Sequence, residues 1–123
     1  MMTNPKRVLI VEDEPDALEL LRDWTEAQGW TVRTARTGHT ALEVGQSFKP
    51  DIVITDYTLE GDINGLDVIE GLRREGSGRR CVLVTGVLGN ALGEDVRRLH
   101  GVPILTKPLD FRRLQRIISE PAS

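Results

Sequence analysis

Five residues carry the chemistry open to this chain, and each closes or follows an apolar run. The stretch VLIVEDEP, residues 8–15, leads into Glu12 and Asp13; DIVITDY, residues 51–57, delivers Asp56; CVLVTG, residues 81–86, carries Thr85; and VPILTKP, residues 102–108, ends in Lys107 and Pro108. Two carboxylates about 5 Å apart repel by roughly 3 kcal/mol at an effective dielectric near 20, so acids converging from two strands require a cation. A hard divalent ion answers that requirement. Magnesium takes a few carboxylates together with carbonyl and water oxygens, often beside a phosphate. Lys107 then adds fixed positive charge, and Thr85 a hydroxyl donor, for an anion held over the metal. Glu14 stands directly before Pro15 and reads as a helix cap instead, with Asp13 the other candidate for that cap.

The elements that must position these groups follow from hydrophobic periodicity. Short β-branched runs at 7–11, 30–35, 52–55, 81–85 and 102–106 read as strands. Most are nearly continuous in apolar character, as in a parallel sheet covered on both faces, while the run at 30–35 alternates and reads as an edge. Helical spacing fills the intervals. A first helix opens at Pro15, shows Ala17, Leu18, Leu21, Trp24 and Thr25 on one face, and stops at Gly29. Others are expected at 38–48, 65–75, 90–99 and 109–119. Five alternations of strand and helix predict an α/β fold: a doubly wound five-stranded parallel sheet with helices on both faces and right-handed crossovers. Ligands in such sheets sit at the carboxyl ends of the strands, where all five chemical residues fall.

A chain of 123 residues is expected to form one domain, 1–123, with a core that needs no disulfide or metal staple, and no output domain is expected. The hydrophobic fraction of 39%, the charged fraction of 28% and the net charge of -3 predict a globular, cytoplasmic protein without a nucleic-acid footprint. No apolar run approaches the roughly 20 residues of a membrane span. Cys81, the single cysteine, lies inside an apolar strand and is expected to be a buried core thiol. His39 and His100 lie in polar surroundings and read as surface histidines.

The order of an acid pair, a lone Asp, a Thr and a Lys-Pro at the ends of strands one, three, four and five resembles the receiver domain of two-component response regulators, over nearly the whole chain. The resemblance implies a flavodoxin-like receiver fold and a phosphorelay function, with no catalysis beyond phosphoryl transfer onto the chain itself and its hydrolysis. Asp56 would be the phosphoacceptor, taking the group from a phosphohistidine on a sensor histidine kinase or a histidine phosphotransfer protein. Asp13 and Asp56 would bind Mg2+ directly, Glu12 through water, and Thr58 through its backbone carbonyl. Thr85 and Lys107 would hold the phosphoryl oxygens, and Gly86 would leave the acyl phosphate room. Downstream, phosphorylation would switch binding of a protein target. A phosphorylation-dependent dimer would form through the last two helices and the fifth strand, near Arg97, Arg98, Asp110, Arg112 and Arg113.

Two departures stand out. The stretch DYTLEGDING, residues 56–65, is one residue longer than the usual family loop and has Glu60 where proline is common, and Ile104 replaces the aromatic residue many relatives use as a switch. GDING also looks like part of a calcium loop but lacks the later ligands, and reads as a turn. A phosphatase of the haloacid dehalogenase type is the competing enzyme class. It requires a second Asp two residues after the nucleophile, where this chain has Thr58.

Overall fold

The computed structural model describes residues 6–86 and 101–119. In chain order these form β1 (Arg7–Val11), α1 (Pro15–Ala27), β2 (Thr31–Ala35), α2 (Gly38–Phe48), β3 (Ile52–Asp56), α3 (Gly65–Arg74), β4 (Arg80–Thr85), β5 (Ile104–Thr106) and α4 (Phe111–Ser119). The strands make one sheet in the order β2-β1-β3-β4-β5, every neighbouring pair parallel. From β1 the chain steps outward to β2 and then returns to β3 on the other side, so the switch point lies between β1 and β3. Glu12, Asp13 and Asp56 are therefore delivered to its two flanks.

Alternation along each strand sends side chains to opposite faces. Val8, Ile10, Ile52, Ile54, Val82 and Val84 pack with Leu21 of α1 and Leu114 and Ile118 of α4. Leu9, Val11, Val53, Cys81 and Leu83 pack with Ala41 of α2 and Leu66, Val68, Ile69 and Leu72 of α3. Burial of each large aliphatic side chain contributes about 1.5–3 kcal/mol relative to exposure, which is why the three central strands can be apolar on both faces. β2 keeps the alternating burial foreseen for an edge. α2 and α3 approach closely because a Cβ at Gly45 would collide with Leu72 and one at Gly71 with Leu42.

The helices begin where side chains satisfy their first amides. Glu14 accepts from Asp16 N and Ala17 N at 3.3 and 2.8 Å, with Pro15 in the first turn, so Glu14 is the cap and Asp13 is not consumed by that role. Asn64 and Asp67 form a reciprocal capping box at α3. The last helix starts at Phe111 rather than at residue 109, because Asp110 Oδ1 accepts from Arg112 N and Arg113 N at 2.9 and 3.3 Å and acts as its cap. β5 is shorter than the expected 102–106, since Pro103 has no amide to donate to the ladder. The helix expected at 90–99, with Arg97 and Arg98, and His100 lie outside the described residues. Among the described residues no helix is long and apolar enough to cross a membrane.

Candidate functional site

Each acid owes its place to the strand before it. Glu12 continues β1 by donating its amide to Ala35 O at 3.0 Å, and the residue is only 2% exposed. Its Oε2 accepts from Glu14 N at 3.2 Å, which ties the acid to the turn that opens α1. Asp13 lies next in the turn, half-buried. Asp56 closes β3 and is 8% exposed. One carboxylate oxygen from each of Glu12, Asp13 and Asp56 lies within 4.8 Å of the other two.

Lys107 reaches into this group from the far edge. Its backbone amide donates to Thr85 O at 2.8 Å, so β4 fixes where the lysine begins. Its Nζ then donates to Asp56 Oδ2 at 2.8 Å and to Glu12 Oε1 at 3.0 Å. Burial alone would pull the ammonium pKa down, but the hydrogen bonds and negative charge of Asp56 and Glu12 outweigh it and hold the pKa above the ordinary lysine value. The Lys107–Pro108 peptide is cis. Three carboxylates against one ammonium leave a formal charge of -2, and the three grouped ligand atoms are all hard carboxylate oxygens. That donor set fits a divalent magnesium ion.

The remaining expected residues fall around this centre. Thr85 ends β4 and is buried. Gly86 is exposed beside the lysine, its nearest neighbour being Lys107 Cδ at 4.0 Å from where a Cβ would stand. Thr58 is exposed in the loop between β3 and α3, two residues past Asp56. Sequence reading missed Gly65, whose amide donates to Tyr57 O at 2.8 Å and where a Cβ would strike the Asp56 carbonyl. A glycine at the first position of a helix following a loop acid is the signal that could have found it. It also missed a partner for His39: the ring Nε2 lies 2.9 Å from Asp62 Oδ1, so this histidine is exposed, as expected, but paired. That hydrogen bond, more than the charge of the ring, keeps the Asp62 carboxyl below its usual pKa. Cys81 is buried as expected; its thiol is pushed up to about 11 by desolvation and donates to Gly78 O at 3.1 Å.

A parallel sheet of this order, with an acid trio at its switch point and a lysine joining two of the acids, defines a class before any relative is consulted. The family model for the response regulator receiver domain matches residues 8–119. Regulator of RpoS from Escherichia coli is 33% identical over 121 residues, 95% of this chain and 36% of that protein. The polar-differentiation response regulator DivK of Brucella anthropi is 29% identical over 111 residues, 89% of each chain. Among solved structures, the response regulator TrrA from Thermotoga maritima, in complex with Mg2+ and beryllofluoride, superposes with a TM-score of 0.77 at 29% identity, covering 92% of this chain and 96% of that one. The chain belongs to the family of response regulator receiver domains and is a receiver of phosphorelay signalling. It spans about a third of the length of the curated relatives TcrX and Regulator of RpoS, 34% and 36%.

Proposed function

We propose that Asp56 is the phosphoacceptor of this receiver and that it takes the group from a phosphohistidine on a sensor histidine kinase or histidine phosphotransfer protein, with Mg2+ held by Glu12, Asp13, Asp56 and the Thr58 carbonyl. The observation that carries the reading is the Lys107 ammonium bonded to both Asp56 and Glu12, at 2.8 and 3.0 Å, within the acid trio. An oxygen of Asp56 forms the new bond to phosphorus as the phosphorus–nitrogen bond breaks, and the electron pair leaves on the imidazole nitrogen. A carboxylate has no proton to lose first, so no general base is required. Bound magnesium supplies charge neutralisation and alignment for the transferring oxygens. Lys107 exchanges a carboxylate oxygen for a phosphoryl oxygen, Thr85 supplies a hydroxyl donor, and Gly86 leaves the space a side chain would fill. Because Lys107 follows β5 directly, that exchange pulls on the β5–α4 end of the molecule and alters the surface a downstream protein meets. With Ile104 in place of an aromatic residue, an aromatic rotamer switch cannot operate at that position.

The test uses acetyl phosphate and magnesium with peptide mass spectrometry. Wild type is expected to carry one phosphoryl group on the peptide containing Asp56, and Asp56→Asn none. A label at another residue in the wild type, or full labelling of Asp56→Asn, would overturn the assignment.

A further inference from the structure

Glu12 and Asp13 follow β1, Asp56 closes β3 and Thr58 lies in the loop after it; the pairing of β1 with β3 ends at Val11 and Thr55, so beyond the sheet the spacing of the Asp13 turn and the Thr58 loop needs a further support. The junction of β2 and α2, residues 36–39, made of the two-residue turn and the first two residues of α2, touches both. On one side Ala35 O accepts the Glu12 amide at 3.0 Å, and Arg36 Nη2 donates to the Asp13 carbonyl at 3.3 Å. On the other, Thr37 forms an isolated parallel bridge with Glu60, and His39 Nε2 meets Asp62 Oδ1 at 2.9 Å. Ile63 packs so closely on Gly38 that a Cβ there would collide with it. Four consecutive residues thus hold the loop that carries Asp13 and the loop that carries Thr58, and the second is the lengthened loop that departs from the family pattern.

We propose that this junction is a brace that sets the aperture of the acid site, with Arg36 and His39 as positioning residues for the metal ligands. The proposal rests on the reading of Glu12, Asp13, Asp56 and Thr58 as a magnesium site. Neither side chain contacts the ion; each fixes the backbone that presents a ligand. Arg36 holds the peptide of Asp13. His39, through Asp62, holds the far end of the loop whose near end presents the Thr58 carbonyl. The consequence is selective. Magnesium demands near-ideal octahedral geometry at short distances, whereas calcium accepts six to eight oxygens in flexible arrangements. A loosened aperture therefore weakens magnesium more than calcium. Charge acts in the opposite sense, because loss of the Arg36 cation near three acids would by itself tighten both ions.

The test is calorimetric titration of Mg2+ and Ca2+ into the unphosphorylated protein at constant ionic strength. Wild type, Arg36→Ala, His39→Ala and the exchanged pair His39→Asp with Asp62→His are compared. Exposed contacts of this kind are each worth only about a two- to fivefold change, so each single alanine variant is expected to raise the magnesium Kd about threefold. The calcium Kd should stay within a factor of about 1.5, and the exchanged pair should recover magnesium affinity because the contact across the two loops is restored. Metal-free melting curves report folding separately from binding. An unchanged magnesium Kd in both alanine variants, an equal loss for the two ions, or tighter binding of both by Arg36→Ala would overturn the brace. Wild type that binds no magnesium would instead overturn the metal site itself.

Discussion

Lys107 is the residue on which the acid cluster turns, because its one ammonium bridges two buried carboxylates and offsets one of their charges. Removing it leaves Glu12 and Asp56 facing each other without their shared donor. Lys107→Ala is expected to accept phosphate more slowly, since charge on the transferring oxygens can still be neutralised from the metal side, yet to lose most of the structural response. Amide chemical shifts with and without beryllofluoride measure this, and equal shift changes in mutant and wild type would show that the lysine is no part of the switch. The raised pKa of Lys107 has its own signature in stability. A cation held more tightly to its proton in the folded state contributes stability that is fully present below the unfolded lysine pKa of about 10.4 and is lost as pH rises through the higher folded value. The melting-temperature gap between wild type and Lys107→Met is therefore expected to be constant from about pH 8 to 10 and to narrow above that. The Cys81 thiol, pushed up to about 11, also lowers stability in alkali, but it does so in both proteins and cancels in the difference. A gap that widens with pH would mean the ion pairs of Lys107 do not stabilise the fold.

At the scale of elements, the site depends on where α3 begins. The capping box of Asn64 and Asp67 starts the helix, and Gly65 lets its first turn lie against the Asp56 backbone. Asn64→Ala should cost about 1 kcal/mol through loss of the cap. Gly65→Ala should cost more, about 1–3 kcal/mol by overpacking, and should also slow acetyl phosphate labelling because the Asp56 carbonyl has to move; denaturant melts and labelling rates separate the two variants. This is also where the limits of sequence reading show. Periodicity located β1, β3, β4 and α2 to within about a residue because apolar runs buried on both faces leave little choice of register. The convergence of Glu12, Asp13, Asp56 and Lys107 was legible from the rule that parallel strands present ligands at their carboxyl ends. The bond of Lys107 to Glu12, across 95 residues of sequence, was not, nor was the pairing of His39 with Asp62 across 23. The sequence marks Glu12 and Lys107 as site residues without showing that the ammonium bonds this acid, and His39 reads in a linear string as an ordinary surface histidine. The start of α4 was missed for a local reason: Leu109 fits the helical period, but the Asp110 side chain takes the first amides and sets the boundary.

For the whole molecule, the proposed magnesium site carries an expectation about stability: the crowded acids should weaken the metal-free fold and the ion should restore it. Lys107 offsets one of the three carboxylate charges of Glu12, Asp13 and Asp56 and leaves two, at distances where uncompensated repulsion amounts to a few kcal/mol. An ion that binds only the folded state at ten times its dissociation constant adds about 1.4 kcal/mol, which for a domain of this size raises the melting temperature by about 5 °C. Asp13→Asn should act in two opposite directions. It removes a charge that has no lysine partner, so the metal-free protein should melt higher than wild type. It also removes a ligand, so most of the magnesium-dependent increase should vanish. Melts across a magnesium series at constant ionic strength distinguish site binding from general screening, because screening acts on every exposed pair and does not depend on Asp13. If Asp13→Asn keeps the full magnesium shift, the acids after β1 serve the turn into α1 and not a metal; if wild type shows the shift and the variant loses it while starting from a higher melting temperature, the repulsion stored at the end of β1 is the binding site.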